Sequence, residues 1–93
     1  MKVSRLNGMK VITSDAFTLG EVENSDVETI SWHLKYLQVE LTKEACEALG
    51  FKKPMMGSIT VSLPTNVVRH IGDVITVSKS LEELENLKEY KTQ

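Results

Sequence analysis

A mainly β fold with one short internal helix and a C-terminal amphipathic helix is what this sequence predicts, and three observations carry the prediction. Residues 57–77 read as a strand, a proline-initiated turn, a short apolar ledge, a Gly-Asp turn and a second strand, the chemistry of a small β-barrel wall. Apolar residues make up 41% of the chain but aromatic residues only 5%, so the core rests on Val, Ile, Leu and Met. Helix caps with helical spacing mark residues 42–50 and the tail from residue 80.

A length of 93 residues suits one domain with a modest core, expected as a barrel over 1–79 followed by a helix over 80–93. A domain this small lies near the margin of stability, and burying a further apolar face in a dimer would strengthen it. Net charge is −2, from 13 acidic and 11 basic residues, which argues against broad binding to a phosphate backbone. No apolar run reaches membrane-spanning length, and the opening residues lack the apolar core of a signal peptide. Lone Cys46 excludes an intramolecular disulfide. A cytoplasmic protein without direct membrane insertion is expected.

Each element follows from local chemistry. Residues 3–8 form a lead-in closed by Asn7-Gly8, and residues 9–13, with Val11 and Ile12, a first strand. Residues 14–18 supply turn chemistry through side chains that bond nearby amides. Residues 19–27 resume as a polar-rich strand, in which Gly20 marks a bulge or a close backbone approach. Residues 30–41 are the longest extended candidate, and their pattern changes phase: Ile30, Trp32, Leu34 and Tyr36 alternate, then Leu37, Val39 and Leu41. A straight strand would be apolar on both faces and call for a protein partner on the second; a bulge near Tyr36-Leu37 would restore one face and call for none.

Residues 42–49 form a short helix with Thr42 as N-cap, Glu44 in the first turn and Gly50 as stop, and Ala45, Cys46 and Leu49 share one face. Ile59, Val61 and Leu63 alternate with polar residues until Pro64 ends that strand. Gly72-Asp73 turns the chain into a strand over 74–78. Ser80-Leu81-Glu82-Glu83 is a capping box, with Leu81, Leu84 and Leu87 following at intervals of three as the stripe of an amphipathic helix.

Candidate chemistry is sparse. A nucleophilic Cys46 would need a neighbouring base, whereas the inner face of a short helix suits it as a small hydrophobe. His33 and His70 stand far apart with no Cys or His at metal-ligand spacing, and both read as surface or structural residues. Glu21, Glu23, Asp26 and Glu28 read as a solvated face rather than a general acid–base pair. Met55 and Met56 suit barrel packing or an adaptable contact surface. No phosphate-binding glycine loop occurs. The expectation is therefore a protein that is not an enzyme and has no catalytic, cofactor or metal residues. Its interface would comprise Ile30, Trp32, Tyr36, Leu37, Val39, Leu41, Leu84 and Leu87.

The order of short motifs resembles a known family. Val3-Ser4-Arg5-Leu6-Asn7-Gly8, Lys10-Val11-Ile12-Thr13-Ser14-Asp15 and Leu19-Gly20-Glu21-Val22 are similar to the opening of a PRC-barrel domain. Leu49-Gly50-Phe51-Lys52-Lys53-Pro54, Gly57-Ser58-Ile59-Thr60-Val61, Ile71-Gly72-Asp73-Val74-Ile75 and Lys79-Ser80-Leu81-Glu82-Glu83-Leu84 continue the resemblance across nearly the whole chain, closest to the short stand-alone archaeal type. Ala16-Phe17-Thr18 stands where the family usually has Asp-Gly, and residues 25–40 match weakly. The resemblance implies a barrel of about six strands used as a homodimeric adaptor for another protein. The specific expectation is archaeal cell division, through the membrane anchor SepF and the FtsZ ring, with recruitment to the division site. The alternative implied by another branch is a ribosome- or RNA-associated maturation module, which would use Lys52, Lys53 and Arg69.

Overall fold

In the computed structural model, which describes residues 3–51, 59–84 and 88–89, the chain is mainly β. A 3-10 turn over Val3–Leu6 leads into β1 (Lys10–Ile12), β2 (Thr18–Glu28), β3 (His33–Leu41) and the helix α1 (Lys43–Leu49). β4 (Thr60–Pro64) passes through a 3-10 turn at Thr65–Val67 into β5 (Val68–Ile71) and β6 (Ile75–Val77). A last 3-10 turn, Glu82–Leu84, precedes the two-residue strand β7 (Lys88–Glu89). The strands form one sheet in the order β5-β6-β1-β2-β3-β4-β7. β1 runs parallel to β6, and the other neighbours are antiparallel.

Chain connectivity shows that this sheet curls. β4 and β5 stand five positions apart, about 24 Å across a flat sheet at the usual strand spacing. Yet Pro64 and Val68 are joined by a single 3-10 turn, and four Cα steps reach at most ~15 Å. The two ends must therefore bend toward each other. Thr65 fixes the crossing by donating its hydroxyl to the carbonyls of Leu34 (2.7 Å) and Lys35 (3.2 Å) on β3.

The expected barrel is corrected to this curled, open sheet: among the described residues β5 and β7 are unjoined ends of the ladder. β7 pairs with Val61 and Ser62 on the outer edge of β4, the edge a closing strand would need. The C-terminal helix is corrected too. The capping box forms, with the Ser80 amide donating to Glu83 Oε1 (2.9 Å) and the Glu83 amide to Ser80 Oγ (3.3 Å). It opens one 3-10 turn rather than an α-helix, Leu84 enters the core, and the chain then adds β7 to the sheet. Leu87 and residues 90–93 lie outside the described residues.

One core fills the concave side. Val11, Leu19, Val22, Val39, Val61, Leu63, Ile75 and Val77 point into it from five strands and are essentially inaccessible. α1 closes one end, with Ala45 and Cys46 buried beneath its cap. Thr42 Oγ1 accepts the Ala45 amide at 3.0 Å, Gly50 takes a left-handed φ of 78°, and Phe51 donates its amide back to Cys46. Gly20 is demanded by a close approach: a Cβ there would lie 2.0 Å from the Glu40 carbonyl oxygen.

The phase change of residues 30–41 resolves as a turn and a bulge. Residues 29–32 form the β2–β3 turn, so Ile30 and Trp32 are outside the strand. Asp26 pairs with Tyr36 while Val27 pairs with Leu34, which leaves Lys35 as an extra residue in β3, just before the Tyr36-Leu37 step. The bulge brings Leu34 onto the core side with Leu37, Val39 and Leu41. A second apolar face is thereby absent. Gln38, on the other side, is 2% exposed, donates to Asp26 and accepts from Ser62 Oγ at 2.9 Å.

Candidate functional site

Apolar surface on the described residues concentrates at one end of the β2–β3 hairpin. Ile30 is 91% exposed and Trp32 75%, with Val27 and Tyr36 exposed nearer the base of the hairpin. Trp32 also has a φ of +58°, the left-handed region that costs a side-chain-bearing residue about 1–2 kcal/mol. Glu28 pairs in register with His33, so four residues make the turn, and its last position holds a tryptophan where glycine or asparagine would sit at ease.

A groove adjoins this tip. Residues 33–36 of the bulged β3 and residues 64–66 of the β4–β5 crossing line an open depression of about 430 Å³. Its rim carries the cationic Lys35, His33 and the Tyr36 ring, with Pro64 and Asn66 on the opposite side. The Thr65 hydroxyl holds the two sides together, so the groove is fixed by the fold. A smaller depression of about 250 Å³ lies against Gly20 and Thr42, between Glu21 and Glu40, which pair directly across β2 and β3.

The eight expected interface residues separate cleanly. Ile30, Trp32 and Tyr36 are together at the exposed hairpin end. Leu37, Val39, Leu41 and Leu84 are corrected from surface to core, where the chain itself covers them. A charged residue at Leu37 or Val39 would be stranded in that core and unfold the monomer before any assembly was tested. Leu87 lies outside the described residues, as do Lys52, Lys53, Met55 and Met56. Val27 and the far wall of the groove escaped sequence reasoning. The signal for Val27 was its place one residue before Glu28, on the limb opposite Leu34.

The titratable groups are dispersed. Cys46 is buried in α1, and His33 and His70 are exposed on different strands. Among the described residues no group of three or more His, Cys, Asp or Glu side chains is placed to hold a metal ion. Among the described residues, Asp15 and Glu83 are the carboxyls with lowered pKa values. Thr13 Oγ1 donates to Asp15, which also accepts the Leu81 amide (3.3 Å), and the Ser80 amide and hydroxyl stabilise the charged form of Glu83. These bonds tie the β1–β2 turn to residues 80–83, a structural latch. No helix among the described residues is long and apolar enough to cross a membrane. Comparison with protein-family models and with curated proteins returns no match.

Proposed function

We propose that the chain is a non-catalytic PRC-barrel adaptor that works as a homodimer and binds another protein, with an archaeal division protein of the SepF type as the partner. The observation that carries this reading is the hairpin tip, where Ile30 and Trp32 stand in solvent on a turn that holds Trp32 at positive φ. A small chain with 5% aromatic residues gains no core from a tryptophan placed there. Exposed Trp at the centre of an apolar cluster is the composition of a protein-binding hot spot. The curled sheet and the glycine-dependent close approach of β2 to β3 are compatible with the resemblance to small barrels.

Affinity purification of the tagged protein from its native cells at moderate salt tests the reading. Enrichment of SepF or FtsZ is expected. Enrichment of ribosomal proteins or assembly factors instead would overturn it in favour of the maturation module.

A further inference from the structure

We infer that the occupant of the hairpin tip is a second copy of this chain, its Trp32 seated in the groove formed by residues 33–36 and 64–66 of its partner. The inference rests on the adaptor reading only in taking the tip as a protein-docking surface. Knob and one wall of the groove lie on the same hairpin, since His33 follows Trp32 directly and begins that wall. A surface that carries both halves of a contact pairs with itself about a two-fold axis, each tip filling the other groove. The groove volume of about 430 Å³ is of the size that receives an aromatic side chain.

Charge complementarity selects a like hairpin over an unrelated chain. The β2 limb carries the exposed Asp26, whereas the β3 limb carries the exposed Lys35. Two-fold pairing that lays the β2 limb of each copy along the β3 limb of the other sets acid against base twice. A purely acidic or purely basic partner would match one limb and be repelled by the other. The contact is small: two aromatic residues contribute roughly 150–250 Å² each, with Ile30 and Val27 beside them. That places it at the low end of specific interfaces, and the dimer is expected to form in the micromolar range.

Trp32 is the sole tryptophan of the chain, so its emission reports directly on the proposed contact. Sedimentation equilibrium and intrinsic fluorescence of the purified protein are measured over one dilution series. The proposal predicts a monomer–dimer equilibrium in which emission moves to shorter wavelength as dimer forms. Trp32→Gly, which removes the ring and suits the left-handed backbone, should remain folded and weaken dimerisation by at least about 30-fold. Lys35→Glu should weaken it as well, and mixing Lys35→Glu with Asp26→Lys should restore association as a heterodimer. A dimer with unshifted Trp32 emission would overturn the inference while leaving the adaptor reading in place. A monomer whose emission shifts only when purified SepF is added would overturn the inference together with the homodimer of the adaptor reading, and would leave its binding of another protein in place. A protein that neither self-associates nor enriches a division partner from its cells would sink both.

Discussion

Single backbone positions govern the corner where β1 turns into β2 and β2 closes on β3. Gly20 sits where a methyl group would run into the Glu40 carbonyl at 2.0 Å, backbone against backbone with no flexible side chain to give way. Gly20→Ala should cost about 3 kcal/mol or more in urea unfolding, because a strand must move to admit it. Ala16 shows the opposite mismatch: its φ of +64° is the left-handed turn position that glycine fills without penalty. The Thr13–Phe17 bonds keep that turn geometry in the stretch where Ala16-Phe17-Thr18 stands in place of the resembled Asp-Gly. Ala16→Gly should therefore stabilise by about 0.5–1 kcal/mol after the entropic cost of glycine, read from the same unfolding curves. Ser25 presents a third case. It faces the core side opposite Leu37, and its hydroxyl oxygen is buried without a hydrogen-bond partner. Ser25→Ala removes that unsatisfied group and should be neutral or stabilising by up to about 1 kcal/mol.

Elements were legible where their signals are local and ambiguous where they depend on register. α1 was readable to the residue at both caps, because Thr42 and Gly50 act through their own backbone and immediate neighbours. Thr42→Ala should accordingly cost about 1 kcal/mol. β4 was legible for a similar reason, since Ile59, Val61 and Leu63 alternate without interruption and are buried as a set. In residues 30–41 the same letters fit a straight or a bulged strand, and only pairing with β2 places the extra residue at Lys35. β5 read as a mere ledge because Val68, Arg69 and His70 do not alternate, and its pairing with β6 is itself bulged. The tail misled through its spacing. Leucines at intervals of three satisfy a 3-10 turn as well as an α-helix, and a capping box opens either. Docking of that tail carries a pH signature. Asp15 and Glu83 have folded-state pKa values below the ordinary 3.8 and 4.5, so their contribution is complete above those values and is lost as pH falls through the lowered ones. Hydrogen exchange of the Ser80 and Leu81 amides at neutral and at acid pH checks this. Their protection should be retained at pH 5 and drop, relative to core amides, below about pH 4.

At the scale of the molecule, the curled sheet turns Leu19, Leu37, Leu41, Leu63 and Ile75 inward and, among the described residues, leaves large exposed apolar side chains on one hairpin. The sequence reading of a second apolar face on β3 disappears with the bulge, since Gln38 and its bonds to Asp26 and Ser62 occupy that side. Partner binding then rests on the tip, where Ile30, Trp32 and Tyr36 are the exposed members of the expected interface set among the described residues. The tip was partly visible in the sequence as a tryptophan between two strands, but its groove was not, because residues 64–66 reach it only through the curl of the sheet. The account holds that the fold carries Trp32 at a conformational cost for a contact outside the chain. Unfolding of Trp32→Gly in urea, at a concentration where the protein is monomeric, measures that cost directly. The variant should be more stable than the parent by about 1 kcal/mol, since glycine relieves the left-handed strain and no core contact is lost. A variant less stable than the parent would show that the monomer itself needs the tryptophan, and would contradict the account.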